Sequence, residues 1–596
     1  MAGTTASPNL RRMGRLAQLH APVLAIAGLY AWTSFGMPDG GLWINDNGLK
    51  LIQVEALLRS GFANFAIDWP GRSIDPGLAF MPITQGFFVL LDSELYASYS
   101  PVFALLSAPL YGLLGGAGLY LLPLLGAIAV LPAIRHLAIF AETGVAGGPV
   151  AESRSATPWI AVLVTGLATP LWFYSATFWE HAPAVALSSW SLVACLRFGA
   201  APAIRTGVIA GVLLALPLYL RSDAYLLSAI IGVVAAWRAH DLRGTAWLGG
   251  AFALCLAPLW IFHLVLFGEP FGPHITSQAG GISAAAYLSE RPTTIRNFLV
   301  NSHGNPWWSA LAAAPFWLCV AAGGGLSQRG FRIGVPLAAL GGLLAAAIVL
   351  QGHLTAPRPM NGLLASSGLF AAFPLAILAL VRRATPADPA ASVRRSLIFI
   401  VLADAVLLAC LAPVINSTGI HWGNRFLLPL YPVLAVLACV SAVSWWRACR
   451  PGSPRLVGCT TIAALLLASL LLQLHSISLL DKRRGFSRDL LERVVAAEAD
   501  LVITDTWFLP MDLAPVFLDT PIFYASEARR PELLSRASRS GMRTLLVIDR
   551  LTPGRDQDLP VDAIRMRDDA TRFSPVSLRT LTLDAASADS QALPRR

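Results

Sequence analysis

Long apolar runs separated by short basic connectors dominate the chain. A run of about 18 or more apolar residues is long enough to cross a bilayer as a helix, and the spans predicted in this way are 19–36, 118–138, 157–175, 183–200, 206–221, 222–238, 245–266, 307–324, 334–352, 363–381, 396–414, 426–445 and 457–476. The stretch 101–115 is short and contains Pro and Gly, so we expect a juxtamembrane or re-entrant helix there. The pattern predicts an all-α polytopic membrane protein with about 13 transmembrane helices.

Composition narrows the class of protein further. The chain has 596 residues, of which 55% are hydrophobic and 13% are charged, whereas a soluble globular chain carries about 25% charged residues. The net charge of +10 does not indicate a nucleic-acid partner, because the arginines lie in connectors between apolar runs and not on one amphipathic face. We therefore expect an integral protein of a bacterial inner or plasma membrane, in contact with membrane lipid.

The distribution of arginines predicts the orientation in the membrane. Arg11, Arg12 and Arg15 precede the first apolar run, and no small-x-small cleavage site follows it. An uncleaved first span with a cytoplasmic N-terminus places most of the connector arginines inside, as the positive-inside rule requires. An odd number of spans then places the C-terminal region outside the cytoplasm.

The composition changes near Asp481, where long apolar runs stop. We expect a transmembrane domain at 1–480 and a small C-terminal α/β domain at 481–596. The strand-like segments ADLVITDT, PIFYAS and TLLVIDR alternate with the helical RPELLSRASRSG, which favours a partly parallel sheet. No Gly-rich phosphate loop opens a helix in this region, so a nucleotide is not indicated. The tail after about Ala585 is predicted to be disordered.

Polar side chains collect in segments that this topology places on the outer face. The first outer loop, 37–117, carries Asp46 close after the first span. Ionisable groups near membrane spans are costly, so such a cluster indicates a function. A carboxylate can take a proton from an alcohol, and cations can hold a leaving phosphate. The candidate residues are Asp46, Lys50, Arg72, Glu180, His181, Arg221, Asp223, His274, Arg358, His421 and Arg425.

Structural roles compete with these functional ones. Asp46 precedes an apolar-periodic run and could simply cap a helix. Arg221 and Asp223 could form a structural ion pair. Arg358 or Arg425 could bind lipid headgroups without specificity. Five tryptophans fit an aromatic belt at the membrane interface better than a sugar-binding platform, and they are Trp43, Trp69, Trp422, Trp445 and Trp446.

Three short features resemble one known superfamily. They are the acid shortly after the first span, the segment YSPVFALLSAPL at 99–110, and the acid of FWEHAP. Together they resemble the GT-C superfamily of glycosyltransferases, in its mannosyl- and arabinosyltransferase-like branch. The resemblance implies a polyprenyl-phosphate-linked sugar as donor. It also implies Asp46 as the base, Glu180 as a supporting acid with His181 beside it, and Arg358 and Arg425 as contacts to the lipid phosphate.

The first loop departs from that family at the acidic position. It reads Asn45-Asp46-Asn47, where the family commonly has two adjacent acids. The resemblance therefore implies no certain cofactor. A divalent cation, Mg²⁺ or Mn²⁺, would be bound by Asp46 and Glu180.

Three functions are consistent with the sequence. The first is transfer of a sugar from a polyprenyl phosphate donor to a glycan, lipid or protein acceptor on the outer face. The second is transport or flipping of a lipid-linked sugar, for which ionisable groups buried in mid-span would be expected, and Asp404 is the main example here. The third is a non-catalytic scaffold, which leaves the polar first loop unexplained. The location of most polar groups at outer ends favours the glycosyltransferase.

Overall fold

The architecture is mostly helical, with a small mixed sheet near the C-terminus. The computed structural model describes residues 8–83, 86–145, 155–275, 283–300, 362–367, 388–412, 421–448, 453–550, 563–564 and 576–582. The helices there are α1 Pro8–Gly36, α2 Asn45–Arg59, α3 Val102–Leu114, α4 Leu121–Thr143, α5 Thr157–Leu167, α6 Leu171–Ser175, α7 His181–Ala200, α8 Ile204–Leu220, α9 Ala224–Ala239, α10 Leu242–Phe267, α11 Ala284–Ser289, α12 Arg291–Val300, α13 Leu363–Ser366, α14 Pro389–Leu411, α15 Leu430–Ala448, α16 Ser453–Ala496, α17 Leu509–Asp512 and α18 Arg530–Arg539.

Within the described residues, four helical stretches are long and apolar enough to cross a membrane. They are Val102–Thr143, His181–Ala200, Leu242–Phe267 and Leu465–Ala496. Shorter apolar helices accompany them at Thr157–Leu167, Ile204–Leu220, Ala224–Ala239 and Leu430–Ser444. The predicted spans 307–324 and 334–352, with residues 368–381 of the span 363–381, lie outside the described residues. The structure therefore agrees with a polytopic helical protein, and the total of about thirteen spans stays a prediction.

Two predicted helices differ in detail from the sequence pattern. The span 157–175 is divided into α5 and α6, with the break at Ala168–Pro170. Proline lacks the backbone N–H that a continuing helix needs, and it disfavours helical geometry in the preceding residue. The short segment 101–115 forms α3, and a 3₁₀ turn at Gly115–Tyr120 joins it to α4.

The first outer loop packs against the C-terminal region to form one unit. It contains α2 and an unpredicted hairpin of β1 Phe88–Leu91 and β2 Glu94–Ala97, paired antiparallel. Leu51 and Ile52 of α2 share a hydrophobic cluster with Leu501 and Ile522 of the C-terminal domain. The loop and the domain thus have a common core.

Tryptophans that the sequence assigned to a membrane belt are instead packed inside the protein. Trp43, Trp69 and Trp422 are at most 2% exposed. The indole of Trp69 donates a hydrogen bond to the carbonyl of Ile522 at 3.1 Å, and the indole of Trp422 donates to Gln473 at 3.0 Å. The belt interpretation is wrong for these three, because internal partners take up both their apolar surface and, for Trp69 and Trp422, their N–H groups.

The C-terminal domain is built on a five-stranded mixed sheet. Its strands are β3 Leu501–Thr504, β4 Ile522–Tyr524, β5 Thr544–Arg550, β6 Ala563–Ile564 and β7 Val576–Thr582, in the order β4-β3-β5-β7-β6. The strand β3 is parallel to both β4 and β5, whereas β7 is antiparallel to β5. The partly parallel sheet predicted from the sequence is present. Helix α16 runs through Asp481 without a break, and the tail after Ala585 lies outside the described residues.

Candidate active site

Asp46 lies in the first turn of α2, but it does not cap that helix. The N-cap is Ile44, and the side-chain oxygen of Asn47 accepts hydrogen bonds from the backbone N–H groups of Trp43 and Ile44 at 3.1 and 3.2 Å. This leaves the carboxylate of Asp46 available for a contact with a distant residue. Its Oδ2 accepts a hydrogen bond from Nη1 of Arg425 at 2.9 Å. The capping interpretation of Asp46 is therefore wrong.

A tightly constrained turn positions Arg425. The side-chain oxygen of Asn424 accepts from the backbone N–H groups of Phe426 and Leu427. Gly423 has a φ of +70°, and a Cβ there would lie 2.7 Å from Pro170 and 2.8 Å from the hydroxyl of Tyr431. A glycine is needed for both reasons, because the left-handed conformation and the close approach exclude a side chain.

Glu180 is the centre of a second group of charges. Its two oxygens lie 3.3 Å from Nζ of Lys50 and 3.3 Å from Nη1 of Arg221. Nε of Arg221 donates to Asp223 at 2.8 Å, and its Nη1 donates to Nε2 of His181 at 2.6 Å. The ion pair of Arg221 with Asp223 thus exists, and it belongs to a larger network.

Helix geometry joins the two groups. Asp46 and Lys50 lie one turn apart on α2, so their side chains lie on the same face. Both face a cavity of about 450 Å³. Its charged wall comes from α2, the turn before α7, the turn between α8 and α9, and the Arg425 turn. Its apolar wall comes from α8, α10 and α14, and includes Leu218, Leu259, Leu408 and Leu411.

Most of the candidate residues come together at this cavity. Those that line it are Asp46, Lys50, Glu180, Arg221, Asp223, His274 and Arg425. His181 contacts the site through Arg221, and His421 is buried beside Trp179 with ring centroids 5.9 Å apart. Arg72 lies elsewhere, where it donates to the carbonyl of Ser93 in the β1–β2 turn. Arg358 lies outside the described residues.

Tyr99 is a cavity residue that the sequence analysis did not assign to the site. The ammonium of Lys50 lies 3.6 Å from its ring centroid, and the ring of His274 lies 4.7 Å from it. The sequence feature that could have identified Tyr99 is its place at the start of the segment 99–110, directly before Ser100 and Pro101. Burial and the charge of Asp46 raise the pKa of Tyr99 well above its ordinary range, so its hydroxyl stays protonated.

The charges around Asp46 determine its ionisation. Burial alone would raise its pKa, but the charges of Arg425 and Lys50 and the hydroxyl of Tyr99 outweigh burial and lower the pKa below its ordinary range. Burial, together with Lys50, lowers the pKa of His274 to about 4. Near neutral pH, Asp46 is therefore an anion and His274 is uncharged.

The carboxylates of the site do not fit a divalent cation in this arrangement. Mg²⁺ and similar ions need several oxygen ligands in a defined geometry. Asp46 is paired with Arg425, and Glu180 is paired with Lys50 and Arg221. Among the residues that the structure describes, no group of three or more His, Cys, Asp or Glu side chains could hold a metal ion.

Comparison with known proteins gives a limited result. No protein-family model matches the chain, and no curated protein does. Among solved structures, the chain is similar to ArnT from Cupriavidus metallidurans in the apo state, with 11% identity, a TM-score of 0.47, and coverage of 96% of this chain and 99% of that one. ArnT bound to undecaprenyl phosphate gives 13% identity and a TM-score of 0.44, with the same coverage. At these values the likeness assigns neither an activity nor a substrate to this chain.

Proposed function

We propose that this protein is a membrane glycosyltransferase of the GT-C type, which transfers a sugar from a polyprenyl phosphate donor to an acceptor hydroxyl. The observation that carries the proposal is the contact of Asp46 with Arg425 in a cavity that also contains Lys50 and Arg221. A lipid-linked sugar phosphate needs cations for its phosphate and an apolar wall for its lipid. The cavity has both.

The reaction follows from the charges of the site. Asp46 takes the proton of the acceptor hydroxyl, and the acceptor oxygen forms a bond to the anomeric carbon of the sugar. The bond from that carbon to the phosphate oxygen breaks, and the electron pair leaves with the polyprenyl phosphate. Lys50, Arg221 and Arg425 stabilise the charge on the departing phosphate. Glu180 holds Lys50 and Arg221 in place, and His181 positions Arg221.

Substitution of Asp46 tests the proposal directly. With a panel of polyprenyl phosphate sugars and with glycan, lipid and protein acceptors, we expect Asp46→Asn to lower kcat by about 100-fold or more, since general base catalysis contributes about 10²–10⁴-fold. The matched control is Asp68→Asn, because Asp68 is an exposed carboxylate in the same loop. Full activity of the Asp46→Asn protein would show that the base is elsewhere.

The ion pairs of Asp46 and Glu180 lead to a prediction about the metal requirement of the reaction. We expect sugar transfer to persist after treatment with EDTA, because basic side chains already neutralise both carboxylates and can stabilise the phosphate. The assay would compare initial rates before treatment, after EDTA, and after addition of Mg²⁺ or Mn²⁺. A rate lost with EDTA and restored by either cation would instead assign a metal to Asp46 and Glu180.

One observation favours a second candidate function, which is transport or flipping of a lipid-linked sugar. Asp404 lies within α14, is 2% exposed, and its Oδ1 has no hydrogen-bond partner among the described residues. Ionisable side chains buried in membrane helices are rare, and those that occur often mark transport or proton pathways. Movement of a labelled lipid-linked sugar across vesicles containing the protein, lost in Asp404→Asn and without sugar transfer, would favour the transporter.

A further inference from the structure

The first turn of α2 borders two cavities. Asp46 and Lys50 line the large one, whereas Asn45 and Leu49, also one turn apart, line a second crevice that reaches Asp46 as well. Adjacent helix positions are separated by about 100° of rotation, so these two pairs lie on neighbouring faces. The crevice has a volume of about 10 Å³, and its outer wall includes Trp507 and Met511 of the C-terminal domain.

We propose that this crevice is the acceptor site, that the acceptor is an uncharged sugar whose ring stacks on Trp507, and that one of its hydroxyl groups enters the crevice toward Asp46. The inference rests on the proposed glycosyltransferase function and names its acceptor class. The donor would occupy the large cavity, so the two substrates would meet at Asp46 from different sides of one helical turn.

The size of the crevice limits what can enter it. A cavity of about 10–15 Å³ admits one water molecule. A hydroxyl group has that size, whereas a sugar ring does not, so the ring must stay outside. Asp46 is the carboxylate of the crevice wall, and its lowered pKa keeps it ionised and able to accept the proton.

The lining of the crevice indicates an uncharged acceptor. Its other described wall residues are Pro82, Ile83 and Phe87, and no Lys or Arg is among them. An anionic group placed there would be desolvated without a cation to pair with it, which is costly. A phosphate-bearing acceptor would therefore find no cation in this crevice, whereas a neutral hydroxyl group could donate a hydrogen bond to Asp46.

Trp507 has the properties of a sugar-binding surface. It is 50% exposed, and Phe508 contacts it edge-on with ring centroids 5.9 Å apart. A large flat indole offers apolar area to the C–H face of a sugar ring and loses little conformational entropy on binding. Asp505, two residues before it, is exposed, and its carboxylate can accept hydrogen bonds from the sugar hydroxyls.

The fold also places Trp507 where ligands commonly bind. It lies three residues after the end of β3. The chain continues from β3 to β4 on one side of the sheet and from β5 to β6 and β7 on the other, so a switch point lies between the parallel strands β3 and β5. Ligands of α/β sheets bind at the carboxyl ends of strands at such a switch point. Helix α17, which begins two residues after Trp507, packs closely on α2, since a Cβ on Gly48 would lie 2.1 Å from the carbonyl oxygen of Met511. Trp507 is thereby held at a fixed place relative to Asp46.

Acceptor kinetics test the inference. For the full-length protein with a neutral oligosaccharide acceptor, we expect Trp507→Ala to raise the acceptor KM by about 10-fold or more, with the donor KM and the kcat at saturating acceptor nearly unchanged. Trp507→Phe should have a smaller effect, because it keeps an aromatic face. The matched control is Trp247→Ala, since Trp247 is 48% exposed on α10, away from the crevice. An unchanged acceptor KM in Trp507→Ala would overturn the inference.

Two further measurements separate this inference from the proposed function. Titration of the neutral oligosaccharide into the protein without donor should show binding that Trp507→Ala weakens by about 10-fold. If that binding is present but no donor supports transfer, the proposed function fails and the saccharide site stands. If transfer occurs only to an anionic lipid or to a Ser/Thr peptide, the proposed function stands and this acceptor site is wrong.

Discussion

At the scale of single residues, the pairing of Asp46 with Arg425 sets the chemistry of the site. The guanidinium has two effects on the carboxylate. It fixes the orientation of the carboxylate by a hydrogen bond at 2.9 Å, and its charge helps to keep the carboxylate ionised. A base with a lowered pKa is a weaker base, but it remains deprotonated over a wider pH range. Asp46 is thus deprotonated over a wide pH range, at the cost of being a weaker base than an unpaired carboxylate.

The effect of Arg425 on Asp46 leads to a prediction about pH. Because the pKa of Asp46 lies below the ordinary range of an aspartate, we expect the acidic limb of kcat/KM in the wild-type protein to lie at a correspondingly low pH. In Arg425→Gln the largest lowering influence is lost, so the pKa of Asp46 rises and activity falls at a higher pH.

The pH profile of kcat/KM for both proteins, at constant ionic strength, is the measurement. A purely structural role of Arg425 would lower the rate at every pH without moving the acidic limb. An acidic limb at the same pH in both proteins would therefore contradict the electrostatic explanation.

At the scale of secondary-structure elements, the long helix α16 connects the helical bundle to the C-terminal domain. Two adjacent arginines of α16 make the connection. Arg483 pairs with Asp512 of α17 at 2.6 Å, with both side chains at most 3% exposed. Arg484 donates to the carbonyls of Ser34, in the last turn of α1, and of Pro38, just after that helix. Its guanidinium lies 3.7 Å from the ring centroid of Tyr120. Helix α16 is therefore fixed to the C-terminal domain through Arg483 and to the end of α1 through Arg484.

Two ion pairs of this region should differ strongly in their contribution to stability. We expect Asp512→Ala to lower the free energy of unfolding by about 3–5 kcal/mol, because it leaves Arg483 buried without its counter-charge. Asp519→Ala removes the exposed partner of Arg59 and should cost about 1 kcal/mol or less. Thermal inactivation of the purified variants would compare them, and equal losses of stability would argue against burial as the cause.

At the scale of the whole molecule, the helices bring the charged connectors to one end of the bundle. Helix α2, the turn before α7, the turn between α8 and α9, and the Arg425 turn all reach the same cavity. Helices that cross a layer in alternating directions necessarily bring every second connector to the same face. The charged site is a direct result of this arrangement.

The orientation of this end is a prediction that labelling can check. We expect the cavity and the C-terminal domain to face away from the cytoplasm and the N-terminus to face the cytoplasm. In a variant without the seven native cysteines, a membrane-impermeant thiol reagent on intact cells should label Ser93→Cys, in the exposed hairpin turn. It should label Ala203→Cys, in the exposed turn between α7 and α8, only after the cells are opened. The reverse pattern would invert the topology.

The sequence by itself determined the features that depend on local pattern. Apolar runs predicted the described helices of the bundle, since burial in lipid requires a continuous apolar stretch with its backbone hydrogen bonds satisfied internally. Alternation of the connectors predicted that Asp46, Glu180, Arg221 and Arg425 would lie at the same end. Strand and helix patterns after Ala496 predicted the mixed sheet.

Only the tertiary structure decided which groups meet. Asp46 and Arg425 are 379 positions apart, and no local pattern specifies a contact over that distance, because it depends on how several helices pack. The same reason explains the burial of Trp43 and Trp69, the peripheral place of Arg72, and the position of Tyr99 beneath Lys50. It also explains why the first loop and the C-terminal domain share one core, which brings Trp507 to the crevice beside Asp46.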